Sequence, residues 1–484
     1  MTDPADAALT ELAARIAARE LTAEALVSAV LARADALEAR LNCFVTIRPS
    51  EALEAARAAD REIARRGPRG PLHGIPVAVK DCIAVAGWPV TNGSPAWRRV
   101  PSFDAAAVER LRAAGAIVIG KNTMHEWAMG GTCIRTPSGP VRNPWNPDRI
   151  PGGSSGGSAA AVSAGLAVAA IGTDGMGSIR TPAAFCGVVG LKPTFGRVSR
   201  YGDLPPSSSW VNHVGSITRT VADARVMLAS ISGPDPRDPM SRTGPRVVAR
   251  AAQRASAPLD PSALRVGRLR SPLDVDSLLA VTAAVDAAAA RLRSLGASVE
   301  DVAVPTLGLA PLVAAGTGSE TQATLLQLAL EGPGTFLNPD IRYRVLAAEF
   351  VRAADVRRAR QLATLIRRDL DAALRRVDVL MLPTAPTPAY PIDATRVAVG
   401  AGEVVDLGRP GGQARITTRL TFPFNVAGMP AISVPAPGLV DGLPVGIQLV
   451  APAWADERLL DVAALIESPG DPGLPPIVRS IADC

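Results

Sequence analysis

The sequence predicts an α/β fold, a single large domain with a mixed, mostly central β-sheet covered by helices on both faces. Two observations carry this. Short apolar runs alternate with longer helical patterns, and Gly/Pro-rich stretches punctuate the changes between them. The chain is also 484 residues long, 48% hydrophobic and 20% charged, which suits a large buried core rather than a disordered chain.

The elements follow in order. Residues 8–41 carry apolar side chains at helical spacing, and Thr22 with Glu24 reads as an N-cap and an acidic first turn. This helical lead, 1–64, gives way to RGPRGPLHG. A core over 65–235 begins with the buried strand IPVAVKD, which has Lys80 at its C-terminal end. Helix AAAVERLRAAGA and strand AIVIG come next, with Lys121 just past the strand in a more exposed setting. GGSSGGSAAAVSAGLAVAAIGTD then reads as loop, helix, strand and turn, and CGVVGLK as another strand. Residues 234–262 are loop-like. Region 264–376 reads as mostly helical, with long helices at 276–296 and 344–376, and is placed on the substrate side. Strands VDVLML, PAISVPA and PVGIQLV return the chain to the core over 377–470.

Charge and cysteine usage narrow the function. The net charge is +6, but the arginines recur among acidic residues without interleaved aromatics, as on a solvated surface, so no nucleic-acid partner is expected. Ala159–Gly172 is too short for a membrane span, and the acidic amphipathic N-terminus does not read as a signal peptide. Cys43, Cys82, Cys133, Cys186 and Cys484 are scattered without a CxxC pair. The expectation is therefore a reducing cytoplasm and no metal site.

Of the 51 basic residues only Lys80, Lys121 and Lys192 are lysine. Arginine cannot release its proton near neutrality, whereas a desolvated lysine can, so each lysine is a candidate base. Candidate nucleophiles sit in two glycine-rich turns. GGSSGGS satisfies G-x-S-x-G at both Ser154 and Ser155, which invites a Ser-His-Asp hydrolase. The only histidine downstream, His213, comes too early for the usual order of that triad. The second turn, GTDGMGSIRTPAAFCG, presents Ser178 behind Asp174. Lys80, at a strand end, is the favoured base, and Lys192 is its main rival.

GIPVAVKD, PGGSSGGSAAA and GTDGMGSIRTPAAFCGVVGLKPT together closely resemble the amidase signature family. The likeness spans roughly 65–235 and 375–465. Ser154 and Ser178 lie 24 residues apart, matching the family pattern and selecting Ser154 over Ser155. The resemblance implies a cofactor-free amide hydrolase of the amidase signature fold, in which Ser178 attacks, Ser154 relays the proton and Lys80 receives it. It also implies a cis peptide bond before Ser154. Backbone N–H groups of Gly175, Met176, Gly177 and Ser178 are placed by it as oxyanion donors. Asp174 would order the turn, and Arg180 would orient it or serve as an ion-pair partner. Met176 stands where the family commonly has glycine, either lining the substrate pocket or packing beneath the turn.

The implied substrate is a small-molecule carboxamide, aryl amide or lactam, with a homodimer as the expected assembly. The alternative is the glutaminase subunit of an amidotransferase, which delivers ammonia to a partner. That branch carries an acidic residue shortly before the motif resembling TFPFNVAG, where this chain has Thr417-Thr418-Arg419.

Overall fold

The computed structural model describes residues 3–205, 210–244, 259–270, 277–323, 325–409, 411–467 and 473–482. Among the described residues thirteen strands run in chain order: β1 (Phe44–Ile47), β2 (Pro76–Lys80), β3 (Ile117–Asn122), β4 (Ala169–Asp174), β5 (Val189–Lys192), β6 (His213–Thr218), β7 (Arg265–Leu269), β8 (Ser298–Val302), β9 (Val379–Pro383), β10 (Arg396–Ala398), β11 (Val404–Asp406), β12 (Ala431–Pro435) and β13 (Gly446–Val450). Eleven of them form one sheet in the order β1-β3-β2-β4-β6-β5-β12-β13-β9-β7-β8, and β10 and β11 pair separately. The large sheet is mixed. β2 is parallel to β3 and β4, and β7 is parallel to β8 and β9. Across the middle of the sheet, from β4 to β9, each neighbouring pair is antiparallel. Helices flank it. Every residue of β2, β4 and β5 is buried, as expected for continuous apolar runs covered on both faces.

The register explains where a site can form. Parallel β2 and β4 end side by side, Val79 opposite Ile171, which brings the Lys80 end of one strand to the Thr173–Asp174 end of the other. Crevices in α/β sheets open beyond such carboxyl ends. Leading into β4 is helix Gly156–Ser163, entirely buried. It fits only because Gly157 lacks a side chain, since a Cβ there would come within 2.4 Å of the Thr123 carbonyl oxygen.

Region 264–376 departs from the expected helical pattern. Helices Leu279–Ser294 and Ala353–Arg376 are present, but β7 and β8 extend the main sheet, and the expected helix at 344–376 is broken after Ala348. The segment before that break covers the loop that follows β3. Phe336, Ile341 and Val345 pack with Trp127 in one apolar cluster. The Glu126 carboxylate accepts hydrogen bonds from the backbone of Leu337 (3.2 Å) and Asn338 (2.9 Å). Thr22 does cap helix Ala23–Leu41, accepting from Ala25 N at 3.1 Å. The loop expected over 234–262 falls partly outside the described residues, at 245–258.

Candidate active site

Lys80 is completely buried, and its Nζ donates to Ser154 Oγ at 2.7 Å and to Thr173 Oγ1 at 2.7 Å. Burial drives its pKa down, and the nearby Cys82, Asp203 and Asp174 oppose that only in part. An amine stripped of water is easier to hold neutral, and a neutral amine accepts a proton. The Gly153–Ser154 peptide bond is cis. Ser155 points elsewhere, its hydroxyl donating to Thr173 O at 3.3 Å, so Ser154 is the serine of this pair that meets the lysine. Ser155 N donates to Ser178 O at 3.1 Å, tying the two glycine-rich segments together. Ser178 itself is half-buried, just ahead of helix Arg180–Cys186.

The turn carrying Ser178 is held by a buried ion pair. Arg180 Nε and Nη2 donate to the two Asp174 carboxylate oxygens, each at 2.9 Å. Burial pushes the Asp174 carboxyl upward, but the Arg180 guanidinium outweighs it and holds the group well below the usual carboxylate range. The remaining guanidinium contacts go to Gln448 Oε1 (2.6 Å), Asn425 Oδ1 (2.5 Å) and Thr421 O (3.0 Å). Arg180 is therefore the structural ion-pair partner. Asn425 Nδ2 also donates to Asp174 O at 2.8 Å and to Val211 O at 3.1 Å, joining three segments at one amide.

One oxyanion assignment needs correction. Gly177 N donates to Asp174 Oδ1 at 2.7 Å, so this N–H is already committed to the turn. The N–H groups of Gly175, Met176 and Ser178 have no protein acceptor among the described residues. Met176 keeps a negative φ, and the conformational freedom of the turn is used one residue later, at Gly177 (φ +119°). The Met176 side chain is half-buried and packs on an apolar cluster that Trp210 also covers. Its carbonyl accepts from Thr421 Oγ1 at 2.7 Å. A Cβ on Gly177 would meet that Thr421 oxygen at 2.1 Å. Gly177→Ala is expected to cost about 2–4 kcal/mol in urea unfolding, from positive φ and overpacking together; a loss below about 0.5 kcal/mol would show that the turn is not held this way.

The rival groups lie apart from Ser154. Lys121 is fully buried inside β3, not exposed beyond it, and its Nζ donates to the carbonyls of Asp81 (2.9 Å) and Ile83 (2.6 Å). Burial brings its pKa down to about 8. Lys192 donates to Met429 O and lies 3.4 Å from His213 Nε2. His213 Nδ1 lies 2.9 Å from Val211 O, so the ring braces backbone and meets no serine. Sequence reasoning does not single out His125, yet its backbone N–H holds Ser154 O at 3.1 Å. It misses Thr173, Thr421, Asn425 and Gln448 as well, although all four lie within the stretches that carry the family likeness. Among the described residues no group of three His, Cys, Asp or Glu side chains is placed to hold a metal.

The family model described as Amidase matches residues 25–460. The chain belongs to the amidase signature family. Among its relatives is the A-subunit of the glutamyl-tRNA(Gln) amidotransferase of Salinispora arenicola, 38% identical, with 98% of this chain and 100% of that protein covered. The native peptide amidase from Stenotrophomonas maltophilia superposes with a TM-score of 0.83 at 34% identity, covering 97% and 98% of the two chains. The corresponding amidotransferase A-subunit from Thermotoga maritima gives 0.77 at 30% identity, with 99% of each chain covered.

The amidotransferase subunits among these relatives overturn the expected partners, which were a small-molecule amide substrate, no nucleic acid and a homodimer. Relatives matched over their full length include components of an amidotransferase named for glutamyl-tRNA(Gln). Arginine spread over a solvated surface is a poor guide, because one component can work with RNA through its assembly and carry no basic patch of its own. Among the described residues no helix is long and apolar enough to cross a membrane.

Proposed function

We propose that this chain breaks an amide C–N bond through an acyl-enzyme on Ser178, with Ser154 and Lys80 as the proton relay. The observation that carries the reading is the 2.7 Å contact between Ser154 Oγ and a fully buried lysine amine. In acylation Ser178 Oγ bonds the carbonyl carbon while its proton passes to Ser154, whose own proton passes to neutral Lys80. The carbonyl oxygen takes up charge before the N–H groups of Gly175, Met176 and Ser178, each such donor contributing about 2.7–4 kcal/mol. Collapse breaks the C–N bond, and Lys80 returns its proton through Ser154 to the leaving nitrogen. Water then repeats the relay, releasing the acid and restoring Ser178.

The curated relatives favour one setting for this chemistry, with the chain as the amide-cleaving component of an amidotransferase. Ammonia freed from a primary carboxamide would then be used by a partner protein that works on glutamyl-tRNA. A second reading, a self-standing amidase, is favoured by Thr417-Thr418-Arg419 in place of an acidic residue and by the higher TM-score to the peptide amidase. A cytoplasmic setting fits the buried, free thiols of Cys43, Cys82, Cys133 and Cys186. The test is a fluorophosphonate probe followed by peptide mapping. Label on Ser178 is expected; label on Ser154 or Ser155, or none, would contradict the reading. Ammonia release from glutamine only when the partner proteins are added would select the amidotransferase setting.

A further inference from the structure

Over residues 172–180 only Gly175, Met176 and Ser178 are not buried. These are the same three residues whose N–H groups have no protein acceptor among the described residues. Gly175 has no side chain and Ser178 carries the nucleophile, so Met176 supplies the one further side chain that this turn presents. The two charged side chains of the turn, Asp174 and Arg180, are completely buried and paired with each other.

Geometry keeps the Met176 side chain close to the reacting carbonyl. An N–H donor sits about 2.9 Å from the oxygen it binds, and its own Cβ is two bonds from the nitrogen. The Cβ of Met176 therefore starts within about 5.5 Å of the oxyanion. The backbone cannot swing it away. Thr421 Oγ1 holds Met176 O at 2.7 Å, and Asp174 Oδ1 holds the next N–H at 2.7 Å.

The side of the turn that Met176 covers is also defined. It packs on an apolar cluster that draws on β7, β8, β9, β12 and β13 and contains Phe422 and Phe424, with Trp210 against the same cluster. Among the described residues none from β2 or β4, the strands that carry Lys80 and Thr173, belongs to it. The leaving nitrogen must face Ser154 to receive its proton, so the acyl group falls on the side of Met176.

We infer that Met176 is a specificity-determining residue, selecting amides whose scissile carbonyl carries an uncharged, apolar acyl group. The inference rests on the acyl-enzyme reading of Ser178 for its catalytic meaning. An unbranched thioether is a flexible apolar surface with no charge to offer. An alkyl or arylalkyl chain loses water favourably against it, whereas a charged chain end gives up hydration and finds no partner on the turn. The selection fits a self-standing amidase better than glutamine, whose acyl chain ends in two charges.

The test compares acetamide, hexanamide and the monoamide of adipic acid, which matches hexanamide in length but ends in a carboxylate. Binding to the full chain carrying Ser178→Ala is measured by ligand-observed NMR titration. Hexanamide is expected to bind at least about tenfold tighter than acetamide, and the acid no tighter than acetamide. Adding Met176→Ala or Met176→Gln should remove most of the hexanamide preference, and adding Met176→Leu should keep it within about threefold. With Ser178 intact, the ratio of kcat/KM for hexanamide over acetamide should fall about tenfold in Met176→Gln, mainly through KM. No binding of hexanamide, equal binding of the two neutral amides, tighter binding of the acid, or a preference surviving Met176→Ala and Met176→Gln overturns the inference. A Met176-dependent preference in binding without any turnover would uphold the apolar wall and overturn the acyl-enzyme reading, so the two failures are distinct.

Discussion

Ser178→Ala is expected to reduce amide turnover by on the order of 10⁴–10⁶-fold while leaving substrate binding nearly intact. The size follows from the division of labour in the site. Oxyanion donors and the binding surface survive the substitution, but no atom remains to take the acyl group. Ser154 does not replace it, because its side chain is completely buried beside the Lys80 amine, whereas Ser178 is only half-buried. The loss should not come from unfolding. Ser178 is half-buried, and the turn around it is held by Asp174, Arg180 and Asn425 rather than by its hydroxyl. A variant that keeps more than about a tenth of the activity would remove Ser178 from the chemistry.

Lys80→Met should cost on the order of 10²–10⁴-fold in kcat/KM, the usual range for loss of a positioned general base. Lys80→Arg should do no better, because a guanidinium keeps its proton and cannot accept another. Stability separates this loss from misfolding. Burial lowers the folded-state pKa of Lys80, so the folded protein binds this proton less readily than the unfolded chain does. The resulting penalty is full below the folded pKa and fades as pH rises to the ordinary lysine value. Lys80→Met removes it with similar volume, so at neutral pH the variant should be at least as stable as the parent. Urea unfolding checks this beside the kinetics. A variant that is inactive and also much less stable would mean that the lysine serves the core.

The use of lysine is the most informative sequence signal. A chain that writes its positive charge as arginine has three lysines, and all three amines are fully buried. Composition locates the unusual amines but cannot rank them. That ranking depends on register, which brings the ends of β2 and β4 together and leaves Lys121 facing the Asp81 and Ile83 carbonyls. The strands legible in the sequence are continuous apolar runs or close a recognised motif. β8 escapes because SVEDV is largely exposed, and β7 because RVGRL mixes arginine into a short segment. Gly177 is misassigned for a similar reason. The motif places its N–H at the oxyanion position, but only the folded turn shows that Asp174 takes it. Asn425 and Gln448 hold Arg180 from 245 and 268 residues away, and no local pattern reports a contact at that range.

The relay itself is tested most directly by the pH dependence of covalent labelling at Ser178. The second-order rate constant for a sulfonyl fluoride is measured by intact-protein mass spectrometry, in the parent chain and in Lys80→Met. In the parent, the rate should rise with pH through a single ionisation below the ordinary lysine range, following loss of the Lys80 proton. In Lys80→Met that rise should vanish and labelling should be slow throughout. A parent profile unchanged by the substitution, in shape and in height, would contradict the account.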